Sequence, residues 1–178
     1  MGLCKGYIQV YTGDGKGKTT AALGQGLRSA GRGLSVYMVQ FLKTSDSGEL
    51  HSTKWLNGNF RIFRFESEKG FFWTLNEEQK KLLKTEIASA MDFVRKVIKD
   101  AECDVLILDE VAAVLTNGLY CADELAGMLK SKPDTMEIIL TGRSMPQKIT
   151  EIANLITEMK EIKHYFNEGV PARDGIEE

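Results

Sequence analysis

The stretch Thr12-Gly-Asp-Gly-Lys-Gly-Lys-Thr19 packs three glycines, two lysines and two threonines into eight positions. Glycines at 13, 15 and 17 allow the positive-φ conformations that turn successive backbone N–H groups inward as an anion nest. A helix opening at Lys18 would add its positive dipole end to the same spot. Lys18 can neutralise phosphate charge, and the Thr19 hydroxyl can reach a magnesium ion. Against the pattern G-x-x-x-x-G-K-[ST], Gly17, Lys18 and Thr19 match, while Thr12 stands in place of the first glycine. The run Leu106-Ile-Leu-Asp109-Glu110 offers the complementary half, an acid at the end of an apolar strand, where α/β sheets bind ligands. Asp109 or Glu110 would hold magnesium directly or through water. A ligand-free glycine turn and a strand-end acid that only caps a helix are the plainer readings, and each loses weight beside the other. The two together point to a nucleotide and its magnesium (or manganese) ion. The expected nucleotide set is Thr12, Gly13, Asp14, Gly15, Lys16, Gly17, Lys18, Thr19 and Thr20, with Arg28 as a further candidate and Thr19, Asp109 and Glu110 on the metal.

Those residues need a scaffold that brings strand ends together. Gly6 to Thr12 is β-rich and stops at Gly13, and helical composition from Lys18 to about Ala30 ends at the glycines 31 and 33. Leu34–Gln40 and the alternating Phe60–Phe65 read as the second and third strands, with a polar loop over 43–59 holding at most one short helix. Asn76-Glu-Glu-Gln79 is a capping box for a helix to about Asp100, whose Leu83, Ile87, Ala90, Val94 and Val97 form one apolar stripe. Asp104–Asp109 and Met136–Thr141 are near-continuous apolar runs, as central parallel strands require. Short helices are expected at 122–131 and 146–153, and a last strand at Leu155–Met159. Strands alternating with helices predict an α/β fold: one domain over 1–178, a mostly parallel doubly wound sheet of about six strands with helices on both faces; the glycine loop at its first strand–helix turn makes the expected kind a P-loop NTPase (RecA-like) fold.

Composition agrees with one domain: 178 residues, 43% hydrophobic and 27% charged, suffice for one core and not for two. Lys and Arg total 23 against 25 Asp and Glu, a net charge of −2, which gives no reason to expect a nucleic-acid partner. No apolar run approaches the roughly 20 residues of a membrane span, so no membrane partner is expected, and the first residues do not read as a signal peptide. The cysteines at 4, 103 and 121 are scattered and odd in number, which fits a reducing cytoplasm. Neither His51 nor His164 has a partner at zinc-ligand spacing.

Phosphate loops serve many chemistries, so the rest of the chain must choose among them. In order come Thr12–Ala22, Val39-Gln-Phe-Leu-Lys43, Gly70-Phe-Phe-Trp73, Leu108-Asp-Glu110, Leu140-Thr-Gly-Arg143, Thr157-Glu-Met159 and Lys163-His-Tyr-Phe166 with Gly169-Val170 and Gly175-Ile176. This series, from about Gly6 to the C-terminus, resembles the phosphate-loop ATP:cob(I)alamin (corrinoid) adenosyltransferases. The resemblance implies that ATP donates a 5′-deoxyadenosyl group to Co(I) of a reduced corrinoid (cobalamin biosynthesis or salvage), releasing triphosphate. Lys18 and Glu110 are then the catalytic candidates. Gln40, Lys43, Phe71, Trp73 and Arg143 are the corrinoid-binding candidates, with the aromatic pair beneath the corrin ring. The resemblance further implies an external reduced flavin or flavodoxin-like electron donor and a homodimer. Two other readings stay open on the residues alone: an NTP hydrolase or small-molecule kinase using Glu110, and a nucleotide-dependent switch.

Overall fold

A computed structural model describes residues 2–43, 45–56, 58–67 and 72–177. Phe71, a corrinoid candidate, lies outside these described residues. Among the described residues six strands form one sheet: β1 (Ile8–Thr12), β2 (Val36–Gln40), β3 (Phe60–Phe63), β4 (Val105–Asp109), β5 (Glu137–Thr141) and β6 (Leu155–Glu158). Their order across the sheet is β3-β2-β4-β5-β1-β6, and every pairing is parallel, so the carboxyl ends share one edge. That sharpens the sequence expectation, which allowed an antiparallel member.

The helices are α1 (Lys18–Ala30), α2 (Gly48–Ser52), α3 (Glu77–Asp100), α4 (Val111–Thr116), α5 (Ala122–Lys130) and α6 (Gln147–Thr150). Alternation along the strands sorts the core into two layers. Val36, Met38, Val105, Ile107 and Ile139 pack with Ala22 and Ala30 of α1. Val39, Leu106, Leu108, Ile138 and Leu140 pack on the other face with Leu83, Ile87, Val94 and Val97 of α3 and with α4, α5 and α6. All five residues of β4 are buried, as a central strand covered on both faces demands. Asn76 caps α3: its side chain accepts from the Gln79 N–H while the Gln79 side chain accepts from the Asn76 N–H, the reciprocal box read from the sequence.

Helix α4 has no counterpart in the sequence reading. It is six residues long, too short to show a period, and follows β4 directly with left-handed Glu110 (φ 61°) as its N-cap. The loop after β2 carries α2 and a 3-10 turn at Thr53–Trp55, and a further 3-10 turn spans Phe72–Thr74. No helix is long and apolar enough to cross a membrane among the described residues.

Candidate functional site at the carboxyl edge of the sheet

The glycine loop joins β1 to α1 with two left-handed residues, Gly13 (φ 101°) and Gly17 (φ 117°). Gly15 lacks a positive φ, contrary to expectation. It is needed for proximity instead, since a Cβ there would come within 2.8 Å of the Lys160 carbonyl. The Gly15 N–H donates to the Met159 oxygen at 2.8 Å, so this loop amide is engaged by the chain rather than turned toward an anion. Gly17 is the N-cap of α1 and supplies no side-chain cap, which leaves first-turn amides for an anionic ligand.

A cleft of about 620 Å³ opens beside this loop. Lys16, Gly17, Lys18, Thr19 and Thr20 line it together with half-buried Glu110 and Glu177 and with exposed Arg143 and Trp73. Lys18 rests its ammonium on the Gly15 carbonyl at 2.8 Å. Burial lowers its pKa, and Arg143 adds to that, against the opposite pull of Glu110, Asp14 and Asp109. Glu110 is shifted upward, first by burial and then by neighbouring Asp109, with Lys18, Arg143 and Lys43 opposing. Three cationic groups thus act on an acid pair of which Asp109 is buried and Glu110 half-buried, an arrangement that can spread the charge of a polyphosphate.

Asp109, almost wholly buried, is held from several directions. Its Oδ1 accepts from the Thr19 hydroxyl at 2.9 Å and from the Thr141 hydroxyl at 2.7 Å, while its Oδ2 accepts from the Gln40 amide at 3.3 Å. Thr141 also accepts the Glu110 N–H at 2.8 Å, fixing both members of the acid pair to the end of β5. The meeting of Thr19 and Asp109 oxygens suits a hard divalent cation. Among the described residues no group of three or more His, Cys, Asp or Glu could hold a metal alone, so nucleotide oxygens and water would complete such a site.

Not every candidate opens on this cleft. Arg28 is ten residues along α1 from Lys18, about 15 Å at the helical rise, and lines a recess with Gln9 and Glu137 at the opposite, amino edge of the sheet. The structure does not bring it to the glycine loop. Gln40 is fully buried, facing Asp109 and Glu49 rather than an open surface. Lys43 is paired with Glu49. Burial opposes the charged form of Glu49, yet hydrogen bonds from Lys43 and Gln40 prevail and hold it at about 2. Lys16 donates to the Ile176 carbonyl at 2.9 Å and lies 3.8 Å from Glu177, so the C-terminal segment is folded against the loop. Asp14 flanks the cleft only through its charge on Lys18. Trp73, 77% exposed, stands at the rim in its 3-10 turn, facing the same opening as Lys18.

The sequence reading missed Thr141, Glu49 and Arg64. Arg64 follows β3 and donates Nε to the side-chain Oε1 of Gln40 at 2.9 Å, Nη2 to the Ser47 hydroxyl at 2.7 Å and Nη1 to the Ser45 backbone carbonyl. Burial lowers its pKa while Glu49, Asp46, Asp109 and Glu66 around it oppose the shift. Of the histidines, His164 caps the 3-10 turn Tyr165–Glu168 by accepting the Phe166 N–H at 3.1 Å, and His51 is exposed and paired with Asp46.

Comparison with known proteins bears on what such a cleft holds. The chain is similar to the corrinoid adenosyltransferase of Escherichia coli K12, 33% identical over 175 residues, which are 97% of this chain and 86% of that protein. It is 30% identical over 179 residues to the corrinoid adenosyltransferase of Pseudomonas aeruginosa, covering 97% and 84% of the two chains. Among solved structures it is similar to the flagellar accessory protein FlaH from Methanocaldococcus jannaschii, with a TM-score of 0.59 at 19% identity over 88% of this chain and 72% of the other. A KaiC-like protein from Pyrococcus horikoshii gives 0.50 at 16% identity over 86% and 73%. At such identities these likenesses speak for the fold alone, an α/β sheet of the phosphate-loop NTPase kind. The family described as ATP:corrinoid adenosyltransferase BtuR/CobO/CobP matches residues 4–177, and the chain belongs to that family.

Proposed function

We propose that this protein transfers the 5′-deoxyadenosyl group of ATP to the Co(I) centre of a reduced corrinoid, in cobalamin biosynthesis or salvage. One observation carries the reading: Trp73 and the phosphate-loop residues Lys16–Thr20 face one cleft, so a flat apolar ligand and a polyphosphate would meet there. In the reaction the Co(I) electron pair attacks C5′, the C5′–O bond breaks, and triphosphate departs with those bonding electrons. The nucleophile arrives with the substrate, so the protein's task is to hold the reactants in line and stabilise the leaving group. Lys18, Lys16 and Arg143 surround the departing charge, with first-turn amides of α1 oriented toward it. Thr19 and Asp109 would hold magnesium, which when bound neutralises phosphate charge, and Glu110 would act on that ion's water shell. The Trp73 ring, with Phe71, would press on the lower face of the corrin.

The substrate is cob(I)alamin or its cob(I)yrinic acid a,c-diamide precursor. Co(II) must gain one electron before it attacks, and a separate reduced flavin or flavodoxin-like protein is assigned that role. A cytoplasmic homodimer completes the proposal, supported by the apolar residues Leu155 and Ile156 exposed on edge strand β6, with Ile162 90% exposed beyond it.

The test is an anaerobic assay with ATP and chemically reduced cobalamin, following the cobalt–carbon bond by absorbance and triphosphate by chromatography. Both products are expected in equal amounts. ADP and phosphate formed without corrinoid would instead make the protein a hydrolase. Trp73→Ala should lower conversion of cob(II)alamin more than that of pre-reduced cob(I)alamin; equal losses would make the ring structural.

A further inference from the structure

Gln40 ends β2 in register with Asp109, and its amide lies between groups of opposite demand. The NH2 end faces two carboxylates, Asp109 Oδ2 at 3.3 Å and Glu49 Oε1 at 2.9 Å. The carbonyl end accepts from Arg64 Nε at 2.9 Å. An amide turned end for end would set oxygen against two carboxylates and NH2 against a guanidinium, unfavourable on both sides. The Arg64 guanidinium is itself fixed, because its other two nitrogens are spent on the Ser45 carbonyl and the Ser47 hydroxyl. A planar fork with all three nitrogens engaged sets a direction that a lysine ammonium would not. Gln40 is the described hydrogen-bond donor to Oδ2 of Asp109, whereas Oδ1 takes the Thr19 and Thr141 hydroxyls. The carboxylate plane is therefore set by Gln40 at one oxygen and by Thr19 and Thr141 at the other, and Gln40 depends on Arg64.

We propose that Arg64 is a positioning residue of the nucleotide–metal site, acting through the Gln40 amide to set the orientation of Asp109. The inference rests on the reading of Thr19 and Asp109 as the metal-holding pair. It extends the site to a residue that touches neither nucleotide nor metal. Partners that orient a ligand in this way commonly change metal affinity by about 10–100-fold when lost.

The experiment measures Mn2+ binding by electron paramagnetic resonance, with protein and ATP present, alongside ATP affinity without metal. Arg64→Met is expected to weaken Mn2+ binding by about tenfold or more while metal-free ATP affinity stays within about twofold. Gln40→Met should give the same loss, and the double variant no more than either alone, since both cut one path. Arg64→Lys, which keeps charge but not the fork, should recover only part. Asp109→Asn separates the two levels of the argument. If it leaves Mn2+ binding intact, the metal reading and the proposal built on it both fall. If it abolishes binding while Arg64→Met leaves Mn2+ affinity unchanged, the positioning role alone is overturned. Should Arg64→Met not fold, Arg64→Lys decides the matter, a loss of about threefold or more supporting the proposal and an unchanged affinity overturning it.

Discussion

Replacing Thr141 by valine changes one hydroxyl to a methyl at constant shape, in a residue with no exposed surface at the end of β5. Two hydrogen bonds go at once. The Thr141 hydroxyl donates to Asp109 Oδ1 at 2.7 Å and accepts the Glu110 N–H at 2.8 Å. Losing a bond to an ionised partner costs about 1.5–3 kcal/mol, and leaving a buried amide unsatisfied about 1–3 kcal/mol. The added methyl recovers up to about 0.8 kcal/mol of apolar burial. The net loss is about 2–5 kcal/mol, which in a domain of this size lowers Tm by roughly 4–20 °C. Thr141→Ser keeps both bonds and gives up only the methyl, so it should stay within about 1 kcal/mol of wild type. The assay is urea unfolding of the three proteins, followed by single-turnover adenosylation at a temperature where all are folded. Thr141→Val should also react more slowly, because both acids of the pair lose an anchor. If valine costs less than serine, or less than about 0.5 kcal/mol, the hydroxyl is not what fixes the acid pair.

Three further outcomes can be checked directly. Lys18→Ala should cut turnover by about 10²–10³-fold with melting behaviour preserved, since it removes charge from the leaving-group site; near-normal turnover would sink that assignment. Glu49, held at about 2 against roughly 4.5 when unfolded, stabilises the fold above the higher value and loses that contribution as pH falls toward the lower. Glu49→Gln should therefore be less stable by about 1 kcal/mol at pH 7 and match wild type near pH 2, read from urea midpoints across that range. Native protein should offer two quickly reacting thiols, exposed Cys4 and Cys121, while Cys103, pushed up to about 12 by burial, reacts only after unfolding.

What the sequence made legible was local. The glycine loop, the acid after an apolar run, the capping box of α3 and the strand periods each depend on neighbours within a few positions, and each recurs in the structure. What it hid depends on distance. Arg64 meets Gln40 from 24 residues away, and Thr141 meets Asp109 from 32, contacts that exist only once the strand order is set. Period-2 alternation likewise shows that Gln40 ends a strand but not that the neighbouring strand's Asp109 lies opposite it. Arg28 is a different case. A helix of known rise already separates it from Lys18 by about 15 Å, and that arithmetic was available without coordinates.

Backbone strain gives a separate view of the same edge. Among the described residues, four without glycine's freedom have positive φ: Leu42 (54°), Ala101 (51°), Glu110 (61°) and Ser144 (52°). Ala101 is the C-cap of α3, a position that helices often give to a left-handed residue, so its strain has an ordinary cause. The other three follow the carboxyl ends of β2, β4 and β5, which are adjacent in the sheet. Each such residue costs about 1–3 kcal/mol and persists only where its surroundings over-determine it. At Glu110 the determinants are visible: its N–H is bound by Thr141, the preceding Asp109 is held by three side chains, and α4 begins at the next residue. Extended backbone there would carry the chain out of the crevice, whereas the left-handed turn keeps the half-buried Glu110 side chain on the cleft beside Lys18 and Arg143. A single strained residue would say little, as Ala101 shows. Three on consecutive strand ends, two of them (Glu110 and Ser144) lining the cleft beside the glycine loop, mark the edge where this sheet has given up backbone stability to place charge.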